Sequence, residues 1–168
     1  MNLILFGFKG AGKTHFGKLL AQQIHRPFID TDDLVSALYA KPVRKLYQEL
    51  GETLFRALET QAILSLQSIS NSIIALGGGA VLDADNLALL QKIGQLVYLD
   101  ASFETIRSRV QEEPAFITTN TLQSIYAERK PLYDSIPARR ISVDQLDEAG
   151  VLAALRSIAY LEDLPNGF

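Results

Sequence analysis

Short runs of apolar residues alternate along the chain with longer stretches in which apolar positions recur at helical spacing. The runs predict strands at Asn2–Gly7, Pro27–Ile29, Ser72–Leu76, Leu96–Leu99 and Arg140–Val143. Between them the periodicity predicts helices at Lys13–Ile24, Asp32–Tyr39, Val43–Leu50, Glu52–Ser68, Ala84–Gln91, Phe103–Gln111, Thr121–Tyr133 and Glu148–Tyr160. Strands separated by helices form parallel sheets, because a parallel partner is reached only through a crossover. An α/β fold is therefore expected. The helices across 32–68 are longer than a plain crossover needs and predict a cap on the substrate side. Residues Gln111–Asn120 carry a proline and three β-branched residues, which predicts a loop; it is either an ordinary connection or a lid.

Composition narrows the class. The chain has 168 residues, 48% of them hydrophobic and 21% charged, which suits one globular domain over residues 1–168 with its own core. Sixteen Lys and Arg against nineteen Asp and Glu give a net charge of -3, with no dense basic run, so a nucleic-acid partner is not expected. There is no cysteine, and two histidines cannot build a metal cage alone. The apolar opening Met1–Phe6 is shorter than a membrane span and lacks the pattern of a signal peptide. A cytoplasmic monomer with no membrane association is expected.

Chemistry enters at Gly7-Phe8-Lys9-Gly10-Ala11-Gly12-Lys13-Thr14, which satisfies the P-loop pattern between a predicted strand and a predicted helix. Glycines let the backbone bend round an anion with its N–H groups inward, and the helix dipole adds to the attraction. Lys13 supplies charge for the β- and γ-phosphates, and the Thr14 hydroxyl is a hard oxygen ligand for Mg²⁺. The loop glycines with Lys13 and Thr14 are thus candidates for holding a nucleoside triphosphate.

An acceptor site has weaker signals. Asp30-Thr31-Asp32 ends the second predicted strand, where parallel sheets place ligands. Asp30 then helps hold the magnesium shell, and Asp32 takes the proton of an acceptor hydroxyl; equally, Thr31 caps a helix whose first turn the aspartates favour. Arg56 stands between Glu52 and Glu59, either in surface ion pairs or as a fork for a substrate carboxylate. Arg129 either serves the acceptor or favours a helix C-terminus before Pro131. Gly77-Gly78-Gly79 marks either a close backbone approach to ligand or a flexible turn.

Taken in order and spacing, these pieces resemble the shikimate kinase family, a branch of the nucleoside-monophosphate-kinase-like P-loop proteins. The resemblance runs over nearly the whole chain, from the P-loop through Asp30-Thr31-Asp32, Gly51-Glu52, Phe55-Arg56, Glu59 and Leu76–Val81 to Arg129-Lys130-Pro131-Leu132-Tyr133. It implies a three-layer sandwich round a five-stranded parallel sheet of order 2-3-1-4-5, with a lid at about 111–120. It also implies transfer of the ATP γ-phosphoryl group to the 3-hydroxyl of shikimate, a step toward aromatic amino acids. By that resemblance Gly10, Ala11, Gly12, Lys13, Thr14 and His15 would wrap the ATP phosphates, and Lys13 and Asp32 would be catalytic. Asp32, Arg56, Gly78 and Arg129 would contact shikimate, with Gly77 and Gly79 beside them, and Thr14 and Asp30 would serve Mg²⁺. One departure stands out. Family members usually carry an arginine before the lid proline, whereas this chain has Glu113-Pro114. Arginines in comparable roles are worth about 10³–10⁵ in rate, so a nucleotide-binding module with impaired catalysis stays open; a related kinase acting on another acid such as gluconate is a separate alternative. Arg107 and Arg109 are the nearest candidates to compensate.

Overall fold

The computed structural model describes residues 1–110 and 122–161. The expected lid at 111–120, with Glu113, lies outside the described residues. Five parallel strands run in the order β2-β3-β1-β4-β5. They are β1 (Asn2–Phe6), β2 (Phe28–Asp30), β3 (Ile73–Ala75), β4 (Gly94–Asp100) and β5 (Arg139–Ser142). The helices are α1 (Lys13–Gln23), α2 (Thr31–Tyr39), α3 (Val43–Ser65), α4 (Ala84–Ile93), α5 (Phe103–Arg109), α6 (Leu122–Ser135) and α7 (Glu148–Leu161).

β1 lies in the middle of the sheet with every residue buried, as an unbroken apolar run requires when helices cover both faces. Its one polar residue, Asn2, is only 2% exposed. The Asn2 amide donates to the carbonyls of Ile69 (2.8 Å) and Ile93 (3.0 Å) and its oxygen accepts from the Ser72 N–H (3.0 Å), which ties together the starts of three adjacent strands. β4 begins two residues before the predicted Leu96, because Gly94 pairs with Asn2 where a Cβ would meet the Asn2 carbonyl oxygen at 2.7 Å. A glycine and a glutamine do not read as a strand, so tertiary pairing sets this boundary.

Two other differences matter for the site. The predicted helices Val43–Leu50 and Glu52–Ser68 form one run to Ser65, interrupted at Gly51 (φ 76°, ψ 173°) and followed by a 3-10 turn at Leu66–Ser68. α6 passes through Pro131 as predicted but ends at Ser135, two residues beyond the expected Tyr133, so Arg129 sits inside a helix and not at its C-terminus. The core divides into a large cluster on the sheet and a small one, Val35, Leu46, Phe55 and Ala62, holding α2 against α3. No helix among the described residues is long and apolar enough to cross a membrane.

Candidate active site

The glycine loop leaves the tip of β1 and turns into α1 at Gly12, whose φ of 99° is left-handed. A Cβ there would lie 2.7 Å from the Phe16 ring, so only glycine makes this entry without strain. Lys13 follows, 9% exposed, and its Nζ donates to the carbonyls of Gly7 (2.9 Å) and Phe8 (3.0 Å). Burial lowers the Lys13 pKa to about 8, although Asp32 and then Asp30 oppose the shift. The loop therefore holds a cation that phosphate oxygens can draw off its own carbonyls. Ala11 is fully buried and belongs to the hydrophobic core under the loop.

Two strands over, beyond β3, Asp30 ends β2. One of its oxygens accepts from the Thr14 hydroxyl at 2.7 Å and the other from the Asp32 N–H at 3.0 Å. Asp30, and not Thr31, is thus the cap of α2. Thr31 is fully buried and its hydroxyl accepts from the Gly77 N–H at 2.8 Å, which joins the ends of β2 and β3.

Asp32 is pushed up to about pKa 6, first by burial and then by the neighbouring carboxylates of Asp30 and Glu59, with Lys13 pulling the other way. Glu59, 2% exposed, accepts from Arg56 Nη1 at 2.7 Å, while Glu52 lies 3.7 Å from Nη2. Both ion pairs anticipated from the helix spacing form together. Burial alone would lower the Arg56 pKa, but Glu59 and Glu52 hold it above its ordinary value.

The three glycines after β3 divide their roles. A Cβ on Gly77 would meet the Asp32 carboxylate at 2.5 Å and Glu59 at 2.9 Å, and one on Gly79 would meet the Arg56 guanidinium at 2.1 Å. These two make room for protein side chains. On Gly78 a Cβ would meet only the Lys9 nitrogen, at 3.8 Å, so this position alone of the three leaves space beside its backbone.

Gly10, Gly12, Lys13, Thr14, His15, Asp30, Asp32, Arg56, Gly78, Gly79 and Arg129 all line one cavity of about 440 Å³. Ala11 and Gly77 do not line it. Phe55, quoted with Arg56 in the motif reading, also lines it, as do Val43, Arg44 and Tyr47, which that reading missed. Their signal was the helical spacing of Val43 and Tyr47 with Leu46 between, which turns one face of α3 inward. A second cavity of about 310 Å³ lies on the other side of the loop, bounded by Gly12, His15, Phe16, Arg109, Val143, Leu146 and Glu148. His15 borders both and its Nε2 lies 2.7 Å from Glu148. Arg109 donates to the Gly10 carbonyl at 3.3 Å, whereas Arg107 lines neither cavity.

A parallel sheet of this order, with a lysine-bearing glycine loop at the exit of its central strand and carboxylates at the exit of the next but one, defines a P-loop kinase. The family model described as "Shikimate kinase" matches residues 9–159, and the chain belongs to that family. A shikimate kinase of Syntrophus aciditrophicus is 34% identical over 90% of this chain and 87% of its own length, and one of Symbiobacterium thermophilum is 34% identical over 92% and 94%. The solved shikimate kinase of Acinetobacter baumannii in complex with shikimate superposes with a TM-score of 0.86 at 26% identity, covering 98% of this chain and 95% of that one.

Proposed function

We propose that this chain is an ATP-dependent shikimate kinase in which Lys13, Asp32, Arg56 and Arg129 carry the reaction. The shikimate 3-hydroxyl oxygen attacks the γ-phosphorus of ATP, the bond from that phosphorus to the β-bridging oxygen breaks, ADP departs, and the hydroxyl proton passes to Asp32. The observation that carries this reading is the position of Asp32 on the same cavity as the loop lysine on one side and the two guanidinium groups on the other. An acid raised to about 6 is ionised at neutral pH yet basic enough to take a proton as attack proceeds. Arg56, held by Glu59, presents a preoriented fork for the substrate carboxylate, and Arg129 offers a second. The Gly78 backbone lies open to the acceptor, and Gly77 and Gly79 support it by letting Asp32 and Arg56 approach.

Mg²⁺ fits the donors present. The Thr14 hydroxyl and the Asp30 carboxylate are hard oxygens brought together beside the loop, and no cluster of three or more metal-binding side chains exists among the described residues. That matches an ion held by one or two protein oxygens with phosphates and water. When bound, Mg²⁺ would neutralise charge on the phosphates. The second cavity, with His15, Arg109, Val143 and Leu146, suits the nucleoside end of ATP.

The test is ADP release from ATP with shikimate, with gluconate, and with no acceptor. Turnover that depends on shikimate is expected. Equal turnover with gluconate, or binding of both substrates without turnover, would overturn the assignment.

A further inference from the structure

Among the described residues Tyr133 is the largest side chain that is fully buried, at 1% exposure, and no step described above uses it. Its ring is fixed on three sides, with centroids 6.3 Å from Phe6, 6.5 Å from Phe8 and 5.9 Å from Tyr98. Phe6 and Phe8 flank the start of the glycine loop, so the ring is anchored directly beneath the phosphate cradle. Four residues earlier on the same helix stands Arg129, which lines the acceptor cavity.

The hydroxyl at the end of this anchored ring has two partners. It donates to the Gly78 carbonyl, and the Arg129 guanidinium hydrogen-bonds to it. A phenol has one proton to give and lone pairs to accept, while a carbonyl can only accept and a guanidinium can only donate. The two bonds therefore use different faces of one oxygen and neither displaces the other. Burial raises the Tyr133 pKa and Arg129 opposes the shift, so the phenol keeps the proton that Gly78 needs.

We infer that Tyr133 is a positioning residue for the acceptor: its hydroxyl sets the Arg129 guanidinium and the Gly78 peptide against each other and against the glycine loop. This rests on the placement of Arg129 and Gly78 at the shikimate site. Fixing one face of the Gly78 peptide fixes the direction of the other, and a bond from the hydroxyl to Arg129 restrains the plane in which its guanidinium meets a carboxylate. Binding then does not have to order either group, which lowers the cost of association.

Tyr126 offers a matched control. It sits on the same helix, packs on Phe8 at 5.5 Å and donates its hydroxyl to a backbone carbonyl, that of Ala101, at 2.8 Å, yet it does not line the acceptor cavity. Steady-state kinetics would compare Tyr133→Phe and Tyr126→Phe with the parent enzyme, with melting temperatures recorded alongside. Both variants should lose similar stability. Tyr133→Phe should raise KM for shikimate about tenfold or more with kcat and KM for ATP within about threefold of the parent, the signature of lost ground-state binding. Tyr126→Phe should leave KM for shikimate within about twofold. In an Arg129→Ala background the effect of Tyr133→Phe should shrink to about threefold or less, because the partner it positions is gone.

A parent-like KM in Tyr133→Phe, an equal rise in Tyr126→Phe, or an undiminished effect without Arg129 would overturn the inference. So would a Tyr133→Phe protein that fails to fold, since the hydroxyl would then serve the fold itself. Absence of shikimate turnover in the parent enzyme would instead sink the proposed function, so the two failures are separable.

Discussion

Asp32 shows how the fold converts an ordinary side chain into a reactive one. Its carboxyl is raised from 3.8 to about 6, by burial first and by Asp30 and Glu59 next. Below pH 3.8 folded and unfolded chains both hold the proton, and between 3.8 and about 6 only the folded chain does. The stability this residue contributes is therefore complete below 3.8 and is lost as pH rises through about 6. Asn at this position carries no charge, so Asp32→Asn should gain stability relative to the parent over that window and level off above it, by on the order of 1–3 kcal/mol in urea melts. The same variant should lose turnover while ATP affinity stays near that of the parent. In the parent enzyme kcat/KM for shikimate should rise with pH along a limb centred near 6. An acidic limb centred near 4 would show that the carboxyl is not shifted in the working enzyme. Asp32, Lys13 and Arg56 were legible from sequence because motif spacing and strand ends place them. Glu59 and Tyr133 were not, because they act through loops distant in sequence: Glu59 read as a helix-surface partner of Arg56, and only the fold brings it to Asp32 and Gly77.

At the scale of elements, the turn after β3 and the break in α3 shape the acceptor side. The triple glycine was read as either ligand approach or loose turn, and the contacts separate its members. Gly78→Ala adds a methyl where only Lys9 stands, at 3.8 Å, so the protein should melt like the parent while shikimate binding by calorimetry is reduced about tenfold or more. Gly79→Ala pushes against the Arg56 guanidinium that Glu59 holds, and should weaken shikimate and also lower the melting temperature, because moving Arg56 strips a buried carboxylate of its partner. Unchanged binding in Gly78→Ala would remove that backbone from the site. Gly51 needs a different argument. A Cβ there would meet nothing within 4 Å, so space is no constraint, but φ 76° with ψ 173° is a region that essentially only glycine enters. Gly51→Ala should cost about 1–3 kcal/mol in chemical denaturation although no contact is lost. The break was visible in sequence because glycine interrupts the helical pattern. The passage of α6 through Pro131 was visible too, because the apolar periodicity carries the predicted helix to Tyr133; the structure adds only the two residues to Ser135.

The whole molecule is a large core bearing the sheet and a small one joining α2 to α3, with the acceptor cavity at the seam. Lys13 belongs to the large core's side, whereas Asp32 and Arg56 stand on the two helices that the small cluster holds together. Four buried residues, Val35, Leu46, Phe55 and Ala62, are a modest anchor, so this pair of helices should open at a free energy below that of global unfolding. Hydrogen exchange should show amides of 43–50 exchanging faster than those of β1 and β4, and slowing when shikimate is added. Leu46, 3% exposed, is the side chain whose truncation tests this most directly. Leu46→Ala should cost about 2–5 kcal/mol, concentrated in α2 and α3. Because the glycine loop is built on the other core, KM for shikimate should rise while ATP affinity changes by less than about threefold. Equal losses for the two substrates, or uniform exchange across the sheet and both helices, would mean that the two clusters act as one unit and that the acceptor wall has no independent freedom.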